Sequence, residues 1–128
     1  MTFNSTHDVM YWDIEVCDIE CEFPTPDRIK EQKAFITMIQ YLINDELTIM
    51  TLNSYKKFIN VEKLNDRFGN VNIIYSPTAQ IMATDFLHYL ATRETYTVVT
   101  GFNTNSDNKC GWNNVGGYDL PCILAQSM

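Results

Sequence analysis

The sequence predicts an α/β protein in which helices pack on a mixed β-sheet. Segments 34–43 and 47–52 are rich in β-branched and aromatic residues, and the Asn44-Asp45 pair between them is typical of a β-hairpin turn. A strand–helix–strand succession then runs from residue 71 to residue 102. Because a hairpin joins antiparallel strands and a helical crossover joins parallel ones, the two together predict a sheet of mixed direction.

The first strand, residues 9–17, carries two carboxylates, Asp13 and Glu15, among otherwise apolar residues. Side chains alternate along a strand, so both carboxylates point to one face while Trp12 and Ile14 point to the other. Their Cα atoms are then roughly 6.5–7 Å apart, which lets both side chains reach one cluster of hard divalent cations. The same alternation suits an ordinary solvated face, and that alternative stays open on this segment alone.

A second acidic pair, Asp18 and Glu20, follows at once. Pro24 and Pro26 come soon after it, so we interpret the pair as the exit of the strand and residues 18–32 as a connecting loop. The sequence therefore predicts that this second pair lies outside any metal site.

Beyond the hairpin, residues 54–68 predict a short helix or an irregular excursion, and 71–75 a short strand. Ser76 and Pro77 form a helix-start signal, with Ser76 as the N-cap and Pro77 at the first helical position. The helix is predicted over residues 77–93, because apolar side chains recur there at helical spacing. They are Met82, Phe86, Tyr89 and Leu90.

The last elements are a strand over residues 97–102, a polar loop over 103–117 and the first turns of a helix from Tyr118. On local sequence Asp119 is most simply an N-cap, since Pro121 lies in the first turn of that helix.

Composition bounds the function. The 128 residues are 45% hydrophobic and 20% charged, as expected of a single globular domain, with the polar residues 1–8 as a loose lead-in. A net charge of −7 argues against a module that binds nucleic acid by bulk positive potential. No apolar run approaches the ~20 residues that cross a bilayer, so we expect no membrane partner.

The four cysteines, Cys17, Cys21, Cys110 and Cys122, show no paired C-x2-C spacing, and the two histidines complete no zinc pattern. We interpret the cysteines as reduced thiols of a cytoplasmic protein.

Two clusters in this order resemble the 3′→5′ proofreading exonuclease domain of family B DNA polymerases, of the kind that phages encode. Asp13-Ile14-Glu15 matches the first exonuclease motif of that family. Thr100-Gly101-Phe102-Asn103 and Tyr118-Asp119-Leu120-Pro121 match the two halves of the second motif. The similarity covers about residues 9–126 and implies a ribonuclease H-like exonuclease fold.

The sequence also departs from the family pattern. The spacer between Asn103 and Asp119 is longer than the few residues usual there, and Asn114 within it is a rival for the asparagine of the second motif. The third motif, Tyr-x3-Asp on a later helix, is absent, and so are the polymerase motifs. The resemblance therefore implies a partial exonuclease domain over residues 1–128, from a split gene or a truncated chain, that is weakly active or inactive alone.

The resemblance implies that Asp13, Glu15 and Asp119 are catalytic and hold two Mg²⁺ or Mn²⁺ ions. Gathering three carboxylates without a cation should raise at least one pKa through like-charge repulsion. The implied partners are a single-stranded DNA 3′ end and the remaining polymerase polypeptide. The alternative is a non-catalytic interaction or scaffolding module that keeps the nuclease-like sheet and is indifferent to metal. The implied substrate contacts are Phe102, Asn103, Asn114 and Tyr118.

Overall fold

The computed structural model describes residues 7–93, 96–101 and 118–128, with side chains described for 9–93 and 118–128. Strands and helices follow one another along the chain. The strands are β1 (His7–Asp18), β2 (Ala34–Ile43), β3 (Glu46–Leu52), β4 (Val71–Ser76) and β5 (Tyr96–Gly101). The α-helices are α1 (Pro26–Lys30), α2 (Val61–Phe68), α3 (Ala79–Ala91) and α4 (Asp119–Ser127), and a 3₁₀ helix spans Asn53–Phe58.

The strands form one mixed sheet in the order β4-β3-β2-β1-β5. β2 is antiparallel to both β1 and β3, whereas β5 is parallel to β1 and β4 is parallel to β3. The α/β class is thereby confirmed. β1, the strand that carries Asp13, is an interior strand, antiparallel to β2 and parallel to β5.

The β2–β3 hairpin turns through Asn44 and Asp45, which both have positive φ, at 50° and 63°. Two consecutive left-handed residues suit the tight turn whose twist matches antiparallel strands, and Asn and Asp tolerate that conformation better than most residues. The turn type therefore sets the register that pairs Ile43 with Glu46.

The core lies between one face of the sheet and the helices α3 and α4. The fully buried ring of Phe86 on α3 stacks on Trp12 of β1, with centroids 5.5 Å apart. The same ring lies 5.6 Å from that of Tyr41 on β2, so one aromatic side chain joins the helix to two neighbouring strands. Met82 and Phe86 of the predicted stripe are buried and Tyr89 and Leu90 are half-buried, as an amphipathic helix requires.

Several sequence boundaries need correction. The predicted loop at 18–32 contains α1, which begins at Pro26 because the Thr25 side chain caps it by accepting from the Arg28 amide. The first strand is longer than predicted, since β1 starts at His7 inside the supposed lead-in. Residues 1–6 of that lead-in lie outside the described residues.

The N-cap of α3 lies two residues later than the signal at Ser76 predicts. Ser76 ends β4, and the N-cap of α3 is Thr78, whose hydroxyl accepts a hydrogen bond of 3.1 Å from the Ile81 amide. Ser76 continues the β4 ladder opposite Leu52, and that pairing competes with a capping conformation.

We expect Thr78→Ala to lower the free energy of unfolding by about 1 kcal/mol, because it removes the acceptor for a helix-terminal amide. Thr84, exposed in the middle of α3, is the matched control, and Thr84→Ala should be neutral or stabilising by a few tenths of a kcal/mol. Urea denaturation of both variants tests the assignment, and equal losses would contradict it.

The expectation of reduced cysteines is wrong for Cys21, which is disulfide-bonded, whereas Cys17 and Cys122 carry free thiols. The Cys122 thiol is buried in the core, and burial raises its pKa to about 12. In the described part of the chain, no helix combines the length and the apolar character needed to cross a membrane.

Candidate metal centre

Asp13 and Glu15 lie on the face of β1 opposite the buried Trp12 and Ile14, as the alternation predicts. On the adjoining strand they pair with Gln40 and Met38. The described pairing of β1 with β5 reaches Trp12 and Gly101, so both carboxylates follow directly after the carboxyl end of a parallel strand pair. The crevice at such strand ends is where open α/β sheets place their ligands.

A β-bulge lies beside the second carboxylate. Glu15 pairs with Met38, but the next residue, Val16, pairs with Ile36, so Thr37 is the extra residue in β2. The Thr37 hydroxyl donates to the Glu15 carbonyl over 3.2 Å. A bulge bends its strand and changes where nearby side chains point, which is why bulges are frequent beside functional sites. Nothing in the hydrophobic pattern of residues 34–43 signals it.

Asp119 does not cap α4, so the interpretation of this residue as an N-cap is wrong. Tyr118 holds the cap position and makes no side-chain capping bond, while Asp119 is the first helical residue. Its side chain is only 2% exposed. Both Asp119 carboxylate oxygens are buried and have no hydrogen-bond partner among the described residues, and the same holds for Oδ1 of Asp13. Buried carboxylate oxygens without donors are costly, and such groups call for a cation or a functional explanation.

The three carboxylates share one electrostatic environment. The pKa of Asp119 is raised to about 7, first by burial and then by the negative charges of Asp13 and Glu15. Burial likewise raises the pKa of Asp13, and it raises that of Glu15 together with the charge of Asp13, although the Glu15 side chain is largely exposed. The expected rise of at least one pKa through like-charge repulsion is therefore present in the structure.

The helix that carries Asp119 is firmly attached to the rest of the fold. The Tyr118 hydroxyl donates to the Pro24 carbonyl over 2.5 Å, just ahead of α1. Near the other end of the helix, Gln126 Oε1 accepts from the Ile36 amide over 2.8 Å. Cys122 and Ile123 are fully buried between these two contacts. α4 is thus held at both ends, and its first residue has a defined position.

The second acidic pair serves another purpose, which the sequence did not reveal. Asp18 binds the guanidinium of Arg28 on α1, and Glu20 lies 3.3 Å from the same guanidinium. Hydrogen bonding from Arg28 lowers the pKa of Asp18 to about 2. The pair thus attaches α1 to the end of β1, and the spacing of ten residues between Asp18 and Arg28 carried no signal of it.

Of the implied substrate contacts, Phe102, Asn103 and Asn114 lie outside the described residues. The choice between the two asparagines is unchanged by the fold. Tyr118 is half-buried and packs against the core, and burial raises the pKa of its hydroxyl. Its stacking on bases stays a prediction.

Among the described residues, no three His, Cys, Asp or Glu side chains stand close enough together to form a ready-made metal site. Asp13, Glu15 and Asp119 interact through their charges without meeting at one point. Like charges repel when no cation lies between them, so a bound cation would have to draw these side chains together. The donor set fits a hard cation, since it is composed of carboxylate oxygens and several are unpartnered.

Comparison with protein-family models and with curated proteins gives no match to this sequence. The arrangement of the three carboxylates and the motifs that surround them are the features that indicate a function.

Proposed function

We propose that this chain is the 3′→5′ proofreading exonuclease region of a family B DNA polymerase, with a ribonuclease H-like fold. Its reaction would be hydrolysis of the 3′-terminal phosphodiester of DNA. The observation that carries the proposal is the buried, unpaired carboxylate of Asp119, which lies within electrostatic range of Asp13 and Glu15. Sequence positions more than a hundred residues apart thus contribute to one acidic centre.

Asp13, Glu15 and Asp119 would hold two Mg²⁺ or Mn²⁺ ions, because oxygen-only donors suit hard cations. Bound there, such ions lower the pKa of water and neutralise charge on the attacking and leaving oxygens of a phosphodiester. The protein's own part is positional. β1 fixes Asp13 and Glu15 through its pairing with β2, and α4 begins at Asp119, whose charge interacts with theirs.

The topology supports the same proposal. The strand with the first motif is interior, and the strand preceding the second motif runs parallel to it. Asp13 and the carboxyl end of β5 therefore lie at the same end of this parallel strand pair, which supports a shared site. We place the protein in the cytoplasm and expect a single-stranded 3′ end and further polymerase segments as its partners.

The test is a calorimetric Mn²⁺ titration of the chain and of matched neutral variants. Asp13→Asn should abolish or weaken binding at least tenfold, because it removes a ligand and leaves the cation undercompensated. Asp85→Asn, at an exposed position of α3, makes the same change in charge and should bind like the parent. Asp18→Asn should also bind normally, since Asp18 is occupied by Arg28. Equal effects at positions 13 and 85 would contradict the assignment.

Digestion of a 3′-labelled single-stranded oligonucleotide provides the second readout. We expect slow digestion at most, since no three carboxylates of the described residues meet at one point and small errors in positioning reduce such rates steeply. Any activity should require Mg²⁺ or Mn²⁺ and Asp13. Digestion that survives Asp13→Asn would refute the proposed site.

One observation favours the alternative of a non-catalytic scaffold, namely that the described residues include no preformed metal cluster. A scaffold should be indifferent to Mn²⁺ in both stability and structure. The scaffold alternative would be supported by two results together. The melting temperature of the parent protein would not respond to Mn²⁺ at pH 8, and titration with Mn²⁺ would release no heat.

A further inference from the structure

The residues between β3 and β4, 53–68, differ in charge from the rest of the molecule. They hold four of the nine Lys and Arg residues but only two of the sixteen Asp and Glu. We call this stretch, the 3₁₀ helix together with α2, the basic-aromatic segment. It has no part in the carboxylate centre, and in a chain of net charge −7 a positive segment needs its own explanation. Its four cations are Lys56, Lys57, Lys63 and Arg67.

Three of these four cations lie over aromatic rings, and none of the four forms an ion pair within the described part of the chain. Lys57 Nζ is 5.1 Å from the centroid of the Phe58 ring, and the Arg67 guanidinium is 5.4 Å from that of Phe68. These two rings are 73% and 53% exposed, respectively. Exposed rings beside unpaired cations combine a stacking surface with positive charge, the two features that bind single-stranded nucleic acid.

The segment stands on the same face of the sheet as the carboxylates Asp13 and Glu15. Lys56 lies 5.3 Å over the ring of Tyr75, a β4 residue. Across the sheet, Tyr75 pairs with Thr51, Thr51 with Met38, and Met38 with Glu15. Paired residues point to one face, so Lys56 stands three strand spacings from Glu15, roughly 14–15 Å along a single row.

On this face the sheet is covered over β3, where Ile49 and Thr51 are buried, and it is exposed and partly apolar over β1 and β2. β1 and β2 contribute Tyr11, Phe35 and Leu42 to this face, at 58%, 38% and 38% exposure. The described helices α3 and α4 pack on the other face, so they do not cover it. An extended single strand of nucleic acid could therefore lie across β2 and β1, from the basic-aromatic segment to the carboxylates.

We infer that the basic-aromatic segment is a docking surface for single-stranded nucleic acid, whose 3′ end it directs across the open face of β1 and β2 toward Asp13 and Glu15. Docking itself is independent of the proposed metal chemistry, while the direction of the 3′ end rests on it. The charge and the chemistry of the surface favour this ligand. The phosphates of a single-stranded nucleic acid match the positive charge, and its bases can stack on the exposed rings. An acidic peptide would match the charge without using the rings.

The experiment measures binding of a fluorescent oligothymidylate of about 16 nucleotides by anisotropy, in EDTA and at about 50 mM salt. The double variant Lys56→Ala/Lys57→Ala should weaken binding at least fivefold and reduce the salt slope by about 1.4, two phosphate contacts at about 0.7 each. The matched control is Lys30→Ala/Lys33→Ala, which removes the same charge from the exposed end of α1 and the turn after it and should bind like the parent.

Two further arms decide the class of occupant and the direction. Phe58→Ala should weaken oligothymidylate binding by roughly fivefold or more, as loss of one stacked base does, and leave binding of polyglutamate unchanged. An oligonucleotide with a photoreactive 3′ base should crosslink to peptides of β1 or β2. Equal binding of polyglutamate and oligothymidylate, with no effect of Phe58→Ala, would replace the inference with simple polyanion attraction.

The outcomes separate this inference from the proposed function. If the two lysine pairs weaken binding equally, the docking surface is refuted, whatever Mn²⁺ does. If oligothymidylate binding depends on Lys56 and Lys57 but Mn²⁺ does not bind, docking stands and the exonuclease proposal fails. Crosslinks confined to peptides of α3 or α4 would refute the direction of the 3′ end.

Discussion

Asp119→Asn is expected to gain stability relative to the parent protein as the pH rises from 4 to 8, by on the order of 4 kcal/mol over that range. The basis is the difference between the ordinary pKa of 3.8 and the value of about 7 in the folded protein. The Asp119 side chain is 2% exposed, so solvent screens this penalty little. Asparagine has nearly the same shape and no charge to bury.

The sign follows from proton binding. Between the two pKa values the folded protein holds a proton on Asp119 that the unfolded chain has released, so the stability of the parent falls as the pH rises through this window. The contribution of the group is fully present below about pH 4 and is lost above about pH 7. The variant lacks this titration. Burying its amide adds an offset that does not vary with pH, so the change with pH is the quantity to measure.

Urea denaturation of both proteins at several pH values between 4 and 8 measures that change. Asp18→Asn is the matched control, because Arg28 lowers the pKa of Asp18 to about 2 and its stabilising contribution is lost only as the pH falls through that range. Its difference from the parent should therefore stay constant between pH 5 and pH 8. A constant difference for Asp119→Asn as well would show that its carboxylate is not perturbed.

Mn²⁺ links this stability effect to the proposed function. If Asp119 helps to hold a cation, Mn²⁺ at pH 8 should offset the burial penalty and stabilise the parent protein. Asp119→Asn should respond less, since it has lost one ligand. Stabilisation of both proteins to the same extent would place the cation elsewhere.

Local periodicity predicted the sheet because each strand carries its own signal. Both signals depend on residues that are close in sequence, so they can be recognised without knowing any distant contact. They are the alternation around Asp13 and Glu15 and the turn at Asn44 and Asp45. The mixed direction of the sheet followed from general rules of connection. These features therefore emerged before any contact was known.

Other features could not be predicted from the sequence, because contacts between residues distant in sequence decide them. Ser76 is as good a cap as Thr78 by composition, and only the pairing of Ser76 with Leu52 assigns it to a strand. Asp119 matches the statistics of an N-cap, but Tyr118, which is held by the distant Pro24 carbonyl, takes the cap position. The bulge at Thr37 likewise depends on how two strands pair.

For the candidate site, the sequence proposes the members but does not reveal their burial. The motif resemblance brought Asp13, Glu15 and Asp119 together, but neither spacing nor composition predicts that both oxygens of Asp119 are buried without a partner. That property arises because α4 is fastened by contacts at Pro24 and Ile36, which lie far from it in sequence.

Phe86→Ala is expected to lower the free energy of unfolding by about 3–5 kcal/mol, the cost of removing a fully buried aromatic ring that leaves a cavity. The ring contacts those of Trp12 and Tyr41, so one substitution loosens α3 from two strands at once. Because whole domains have only about 5–15 kcal/mol of stability, a large part of the total is at stake. Phe58→Ala is the matched control: the same side chain is removed from a position that is 73% exposed, and the change should stay within about 0.5 kcal/mol.

Phe86→Ala also tests which contacts hold the candidate site in place. Asp13 is adjacent to Trp12 in sequence, but its own position is fixed by the pairing of β1 with β2, which Phe86 does not contribute to directly. Under conditions where Phe86→Ala is still folded, Mn²⁺ affinity should therefore be close to that of the parent, although the melting temperature is much lower. If Mn²⁺ affinity instead falls in proportion to stability, the packing of α3 rather than the strand ladder positions the carboxylates. Titration well below the melting temperature of the variant, with circular dichroism as the check on folding, distinguishes the two.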